Sequence, residues 1–206
     1  MLKRSFDILA SFLGLILFSP IILIVACLVK RNLGAPVFFR QVRPGLNGVP
    51  FEMIKFRTMR DAVDHNGEVL ADGDRLTKFG RFLRSSSLDE LPELWNVLRN
   101  DMSIVGPRPL LNRYTPYFTE EERCRFSVKP GITGWAQING RNECKWDARL
   151  AYDVWYVKNR SFLLDMRIIF LTFYKVLKSD GIVVDPSQTM LNLDEERSRK
   201  RGGDNV

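Results

Sequence analysis

The sequence is short of the residues that build metal centres and disulfide frameworks. It has one histidine, His65, and three cysteines, Cys27, Cys124 and Cys144, without C-x-x-C spacing. A single histidine excludes a multi-histidine metal site and leaves a Ser-His triad unsupported, so His65 reads as a solvated loop residue. An odd, widely spaced set of cysteines argues against a disulfide scaffold or a zinc site and fits a reducing compartment. Internal repeats, a Walker loop and a Rossmann glycine fingerprint are all missing, which removes the common nucleotide cradles. Acidic side chains are in deficit: 24 Asp and Glu against 31 Lys and Arg give a net charge of +7. That balance calls for an anionic partner, whether phosphate-rich substrate, anionic lipid or nucleic acid. With 206 residues, the chain is long enough for one or two domains with a real core.

What the chain does have is one long hydrophobic run. Ile8 to Val29 is a stretch of 22 residues without a charge. As a helix it would be about 33 Å long, enough to cross the hydrocarbon core of a bilayer. A cleaved signal peptide is disfavoured, because the run is long and Lys30-Arg31 follow it directly. Ser19-Pro20 sits at its middle, where proline removes a backbone hydrogen bond and predicts a bend that the serine hydroxyl can help satisfy. Lys3-Arg4 and Lys30-Arg31 flank both ends, whereas a spanning helix concentrates cations on one side. A helix that dips in and returns, and a kinked spanning helix, are equally compatible with these features.

The soluble part opens with a predicted β-hairpin over residues 37 to 59. VFFRQV and PFEMIKFRTM flank a turn rich in Pro, Gly and Asn. Period-two alternation places Lys55 and Arg57 on one strand face, where they could cradle a diphosphate or form a solvated polar face. Ser87-Leu-Asp-Glu-Leu-Pro92 then sets two carboxylates, Asp89 and Glu90, at a helix start. The Ser87–Glu90 spacing fits a capping box, and Pro92 is best tolerated in a first turn. Acids there are usually caps, yet a helix N-terminus also favours phosphate. Gly106-Pro-Arg-Pro109 is a rigid turn that presents Arg108 at low entropic cost. Thr119 to Glu122 has capping-box spacing of its own. Residues 161 to 178 are apolar but too charged to span readily, so they predict either a surface helix or a buried one. The basic tail from residue 186 reads as flexible or bound to anionic lipid.

Four ordered blocks now carry a resemblance. KFRTM (55–59), RSSSLDELPELWNVLRNDMSIVGPRP (84–109), KPGITGWAQINGRN (129–142) and YDVWYVKN (152–159) resemble the bacterial monotopic phosphoglycosyl transferases. The likeness covers roughly residues 1 to 182 and is closest to the small, single-domain members. It implies an α+β, mainly helical fold with an N-terminal re-entrant membrane helix broken at Ser19 and Pro20. Interfacial amphipathic helices and a small β-hairpin complete that fold. The implied divisions are a membrane helix (1–31), a catalytic domain (32–185) and a basic, flexible tail (186–206). It further implies residence at the cytoplasmic face of the bacterial inner membrane. There such enzymes transfer a sugar-1-phosphate from a UDP-sugar to polyprenyl (undecaprenyl) phosphate, release UMP and initiate surface-glycan synthesis.

By the same resemblance Asp89 is the nucleophile, forming a covalent aspartyl-phosphosugar, and Glu90 is a ligand of Mg²⁺. Lys55, Arg57, Arg84 and Arg108 are implied phosphate contacts, while Arg141 and Asp153 help hold substrate. These cations account for part of the positive charge without nucleic acid. Anionic lipid is an expected partner, and a homo-oligomer is compatible with the sequence. Two other readings stay open: a membrane-bound nucleotide-sugar hydrolase, and a non-catalytic module that docks on membranes.

Overall fold

The uncharged run and its flanking cations form a single helix, α1 (Leu2–Leu33), in the computed structural model, which describes residues 2–63, 65–140, 145–178 and 191–203. The helix is not interrupted at Ser19-Pro20, in contrast to the expected break. Pro20 cannot donate to the Ile16 carbonyl, and the Ser19 hydroxyl donates to that same oxygen at 2.7 Å. Asp7, Ser11, Val25 and Val29 are buried along one side of α1. The opposite side of its uncharged run is exposed and apolar, with Leu17 71% and Leu23 66% accessible.

Both ends of α1 are tied to the folded body. Lys3 Nζ pairs with Asp165 at 2.7 Å and donates to the Val105 carbonyl. The Arg4 guanidinium donates to the carbonyls of Val97 (2.8 Å) and Leu98 (3.1 Å). Those carbonyls end the helix that follows the acidic pair, so Arg4 sets a cation at its negative dipole end. Asp7 accepts from the Ser103 hydroxyl (2.8 Å) and the Ile104 amide (3.1 Å). At the other end Val25 and Val29 share a core cluster with Phe56 and Leu83.

The predicted hairpin forms, with β1 (Phe38–Pro44) antiparallel to β2 (Pro50–Phe56) and Phe39 opposite Lys55. Its turn uses Asn47 and Gly48, both at positive φ. Two short helices follow, α2 (Asp72–Arg75) and α3 (Lys78–Ser85), the second capped by the Thr77 hydroxyl on Gly80 N–H. The acidic pair lies in a 3₁₀ turn, Leu88–Glu90, ahead of α4 (Glu93–Leu98). Next come β3 (Ser103–Val105) and a parallel partner, β4 (Gly131–Thr133). Here the Gly106-Pro-Arg-Pro109 and Lys129 to Gly134 segments interlock. A Cβ on Gly131 would stand 2.0 Å from the Gly106 nitrogen, so no larger residue fits.

Helices α5 (Trp135–Asn139), α6 (Trp146–Asn159) and α7 (Phe162–Lys178) close the body. Helix α7 answers the choice between surface and burial with both. Ile168 and Asp165 are buried, while Leu163 and Phe170 on its outer side are exposed. Within the basic tail, Leu193–Gly203 form a helix, α8. Leu193 is fully buried beside Tyr114 and Trp146, and Arg197 bridges Glu122 and Asp147. One apolar side chain and a set of ion pairs dock it together.

Candidate active site

Strand β2, the 3₁₀ turn and the Gly-Pro-Arg-Pro turn bring Lys55, Glu90 and Arg108 together. Ser87 enters the turn in the left-handed region, at φ 56°, and its hydroxyl makes no cap. The capping box expected from Ser87 and Glu90 therefore does not form. The Glu90 carboxylate is directed elsewhere: its Oε1 accepts from Lys55 Nζ at 2.8 Å and from Arg108 at 2.7 Å. Lys55 also pairs with Glu93 Oε1 at 2.9 Å. Asp89, beside them, is buried.

These contacts split two adjacent carboxylates electrostatically. Burial, reinforced by the Glu90 charge, raises Asp89 to about 6 against the opposing pull of Lys55, Arg108 and Arg84. Burial acts on Glu90 in the same direction, but Arg108 and Lys55 outweigh it and hold Glu90 at about 2. Glu93 is pushed up to about 7, chiefly by burial and then by Glu90, despite Lys55. Burial works against charge on Lys55, yet Glu90 and Glu93 raise its pKa above the ordinary value. A carboxylate near neutrality next to one that is firmly ionised suits two roles better than one shared proton.

The remaining expected site residues fall in different places. Arg84, from α3, donates to the Thr58 hydroxyl at 3.1 Å, and its charge acts on Asp89. Arg57 is buried away from the carboxylates: it pairs with Asp61 at 2.7 Å and donates to the Leu33 carbonyl at the end of α1. It lines a cleft of about 490 Å³ with Phe38, Phe39 and Asp61. The two cations of the strand are thus separated, not convergent. Asp153 is buried in an ion pair with Arg125 at 2.9 Å. Arg141 lies outside the described residues.

Sequence reasoning missed Glu93, Arg125 and Arg43. Glu93 stands three residues after Glu90, a spacing that puts both on one helix face. Arg43, on β1, lies within the field of Arg108 and is lowered to about 10, mainly by burial and then by that neighbour. Only its placement every second residue along the hairpin hinted at an inward role. Arg125 gave no sequence signal of its own, standing in a charged run whose neighbours face solvent.

A family model described as "Bacterial sugar transferase" matches residues 1–179. The chain belongs to that family. This sugar transferase is 56% identical over 181 residues to the uncharacterised sugar transferase EpsL of Bacillus subtilis, spanning 88% of this chain and 90% of EpsL. It is 39% identical over 198 residues to the exopolysaccharide production protein ExoY of Rhizobium meliloti, covering 88% of each. It is 44% identical over 187 residues to a UDP-glucose:undecaprenyl-phosphate glucose-1-phosphate transferase of Escherichia coli, spanning 85% of this chain and 40% of that protein. Every candidate site residue lies inside the family match, and α8 lies beyond it.

Proposed function

We propose that this sugar transferase moves a sugar-1-phosphate from a UDP-sugar to polyprenyl phosphate and releases UMP, through an aspartyl-phosphosugar on Asp89. The observation that carries this reading is geometric: buried Asp89 stands beside a Glu90 carboxylate held by Lys55 at 2.8 Å and Arg108 at 2.7 Å, two cations suited to phosphate. The names of the glucose-1-phosphate transferase and ExoY relatives support the reaction class and its place in exopolysaccharide synthesis.

At neutral pH Asp89 is ionised but poorly stabilised by its surroundings, which favours attack. Its carboxylate oxygen forms a bond to the β-phosphorus of the UDP-sugar. The bond from that phosphorus to the oxygen bridging toward the α-phosphate breaks, and UMP leaves with the electron pair. An oxygen of polyprenyl phosphate then attacks the same phosphorus, the acyl-phosphate bond breaks, and Asp89 is regenerated. Lys55, Arg108 and Arg84 bind the phosphoryl oxygens, trading part of their hold on Glu90 for the substrate.

Mg²⁺ fits this residue set. Among the described residues no three His, Cys, Asp or Glu side chains converge into a cage. Mg²⁺ is habitually held by one or two carboxylates plus substrate phosphates and water. Glu90, firmly ionised, is the residue to hold it, and the ion would neutralise charge on the diphosphate.

The same reading places the enzyme on the cytoplasmic face of the bacterial inner membrane. Helix α1 is long and apolar enough to cross a bilayer, with mean hydropathy 2.9 over its most apolar window. Both its ends nevertheless contact one folded body, through Lys3, Arg4 and Asp7 at the start and Val25 and Val29 near the end. On this reading α1 dips into the lipid and returns, which requires the continuous helix to bend at Ser19-Pro20 within the bilayer. The exposed apolar side of α7 would rest on the same surface, among anionic lipids.

Intact-mass spectrometry after incubation with a UDP-sugar and Mg²⁺ tests the chemistry. A sugar-phosphate adduct on the wild type, absent from Asp89→Asn, is the expected result. UMP release without any adduct would sink the covalent route. Free sugar phosphate formed without polyprenyl phosphate would instead mark a hydrolase. A tag at the N-terminus protected on the periplasmic side would show that α1 spans.

A further inference from the structure

The Gly106 to Pro109 turn that carries Arg108 has few backbone donors, because both neighbours of Arg108 are prolines. It is fixed instead through successive tie-points. The Gly106 amide donates to the Thr133 carbonyl at 2.9 Å, and the Pro107 carbonyl accepts from the Gly131 amide at 3.0 Å. The third is a side chain: Arg125 Nη2 donates to the Arg108 carbonyl at 2.7 Å. The same nitrogen pairs with Asp153 at 2.9 Å.

Arg125 is almost wholly buried, at 4% exposure, and among the described residues its Nε and Nη1 have no hydrogen-bond partner. Its guanidinium lies 5.1 Å from the Phe118 ring centre and 6.0 Å from that of Phe126. A cation desolvated to this degree is costly unless its geometry is tightly satisfied. Here all of its directional bonding runs between one carboxylate and the backbone of the residue that grips Glu90.

We propose that Arg125, anchored by Asp153, is a positioning residue for Arg108, setting the guanidinium of Arg108 against Glu90 and hence against the substrate diphosphate. This rests on the functional reading above and extends it to two residues with no direct part in the chemistry. It also reassigns Asp153: a side chain expected to touch substrate acts two residues removed from it. Misplacement of a charged group by about 1 Å is enough to cost ~100-fold in rate.

The test is a double-mutant cycle between Arg125 and Arg108. Arg125→Met alone would strand a buried Asp153 carboxylate and could unfold the chain, so the main variant pairs Arg125→Met with Asp153→Leu. Thermal melting checks that it folds. UMP release is expected to fall about 30-fold or more, and adding Arg108→Met should cost no more than about threefold beyond Arg108→Met alone. The loss should divide between KM and kcat as it does in Arg108→Met, because both variants withdraw the same guanidinium from the diphosphate. A merely structural defect would lower kcat by reducing the active fraction and leave KM unchanged. Arg125→Lys, able to keep only one of the two bonds, should be intermediate. Calorimetric binding of UDP to the same four proteins reads the cycle without turnover, so failure of the transferase reading does not decide this one. Wild-type UDP binding in the paired variant, or additive losses with Arg108→Met, would overturn the proposal.

Discussion

Two stretches of this chain carry the same local signal, and the structure treats them differently. At Thr119 to Glu122 the capping box closes in both directions: the Glu122 carboxylate accepts from the Thr119 amide at 2.7 Å, and the Thr119 hydroxyl from the Glu122 amide at 3.2 Å. At Ser87 to Glu90 it does not close at all. Ser87 is left-handed, and Glu90 spends its oxygen on Lys55 and Arg108, which come from 35 and 18 residues away. A carboxylate leaves a cheap local partner only when distant partners hold it more strongly. Glu122 also takes a distant cation, Arg197 at 2.8 Å, but on Oε1, which leaves Oε2 for the Thr119 amide. Glu90 takes two cations on one oxygen, and the left-handed Ser87 ahead of it does not return a cap.

The largest test of that contrast is Asp89→Asn, which should lower turnover at least about 1,000-fold and abolish the adduct, measured by UMP release and intact mass. Glu90→Gln should follow, at about 100-fold, because the neutral amide no longer neutralises Lys55 and Arg108 or serves a cation. The pH profile comes next. As the proposed nucleophile Asp89 would attack only when ionised, so with its carboxyl raised to about 6 the log of kcat should be flat above that pH. It should fall with unit slope below, and a limb near pH 4 would contradict the burial described. The smallest effects separate the two boxes directly. Thr119→Ala removes a real cap and should cost about 1 kcal/mol of stability with turnover within twofold. Ser87→Ala removes none and should cost less than about 0.5 kcal/mol in the same melt.

The contrast also marks how far sequence reasoning reached. The hairpin was legible because Pro, Gly and Asn cluster between two alternating strands, and local turn chemistry decided it. The rigid Gly-Pro-Arg-Pro turn was legible for the same reason. Glu93 looked like any acid in a first helical turn; its burial depends on Lys55, which arrives from a strand far earlier in the chain. Arg57 and Lys55 share a strand face in the alternation, but the end of α1 captures one and the acidic turn the other. Arg125 was invisible because its two partners, Asp153 and a backbone carbonyl, are set by packing between separate elements. Strands β3 and β4, three residues each, are too short for periodicity to reveal. Helix α8 docks through one apolar residue, Leu193, and through ion pairs such as Arg197 with Glu122, whose partners lie far away in the sequence.

Helix α1 has a consequence beyond membrane attachment. Its Val25 and Val29 complete a core with Phe56 and Leu83, and its Arg4 terminates the helix that begins just after the acidic pair. Removing the segment to obtain a water-soluble protein would open that core and withdraw the Arg4 guanidinium from the carbonyls that end α4. The apolar helix and the folded body are therefore built as one unit, and neither is a detachable accessory of the other.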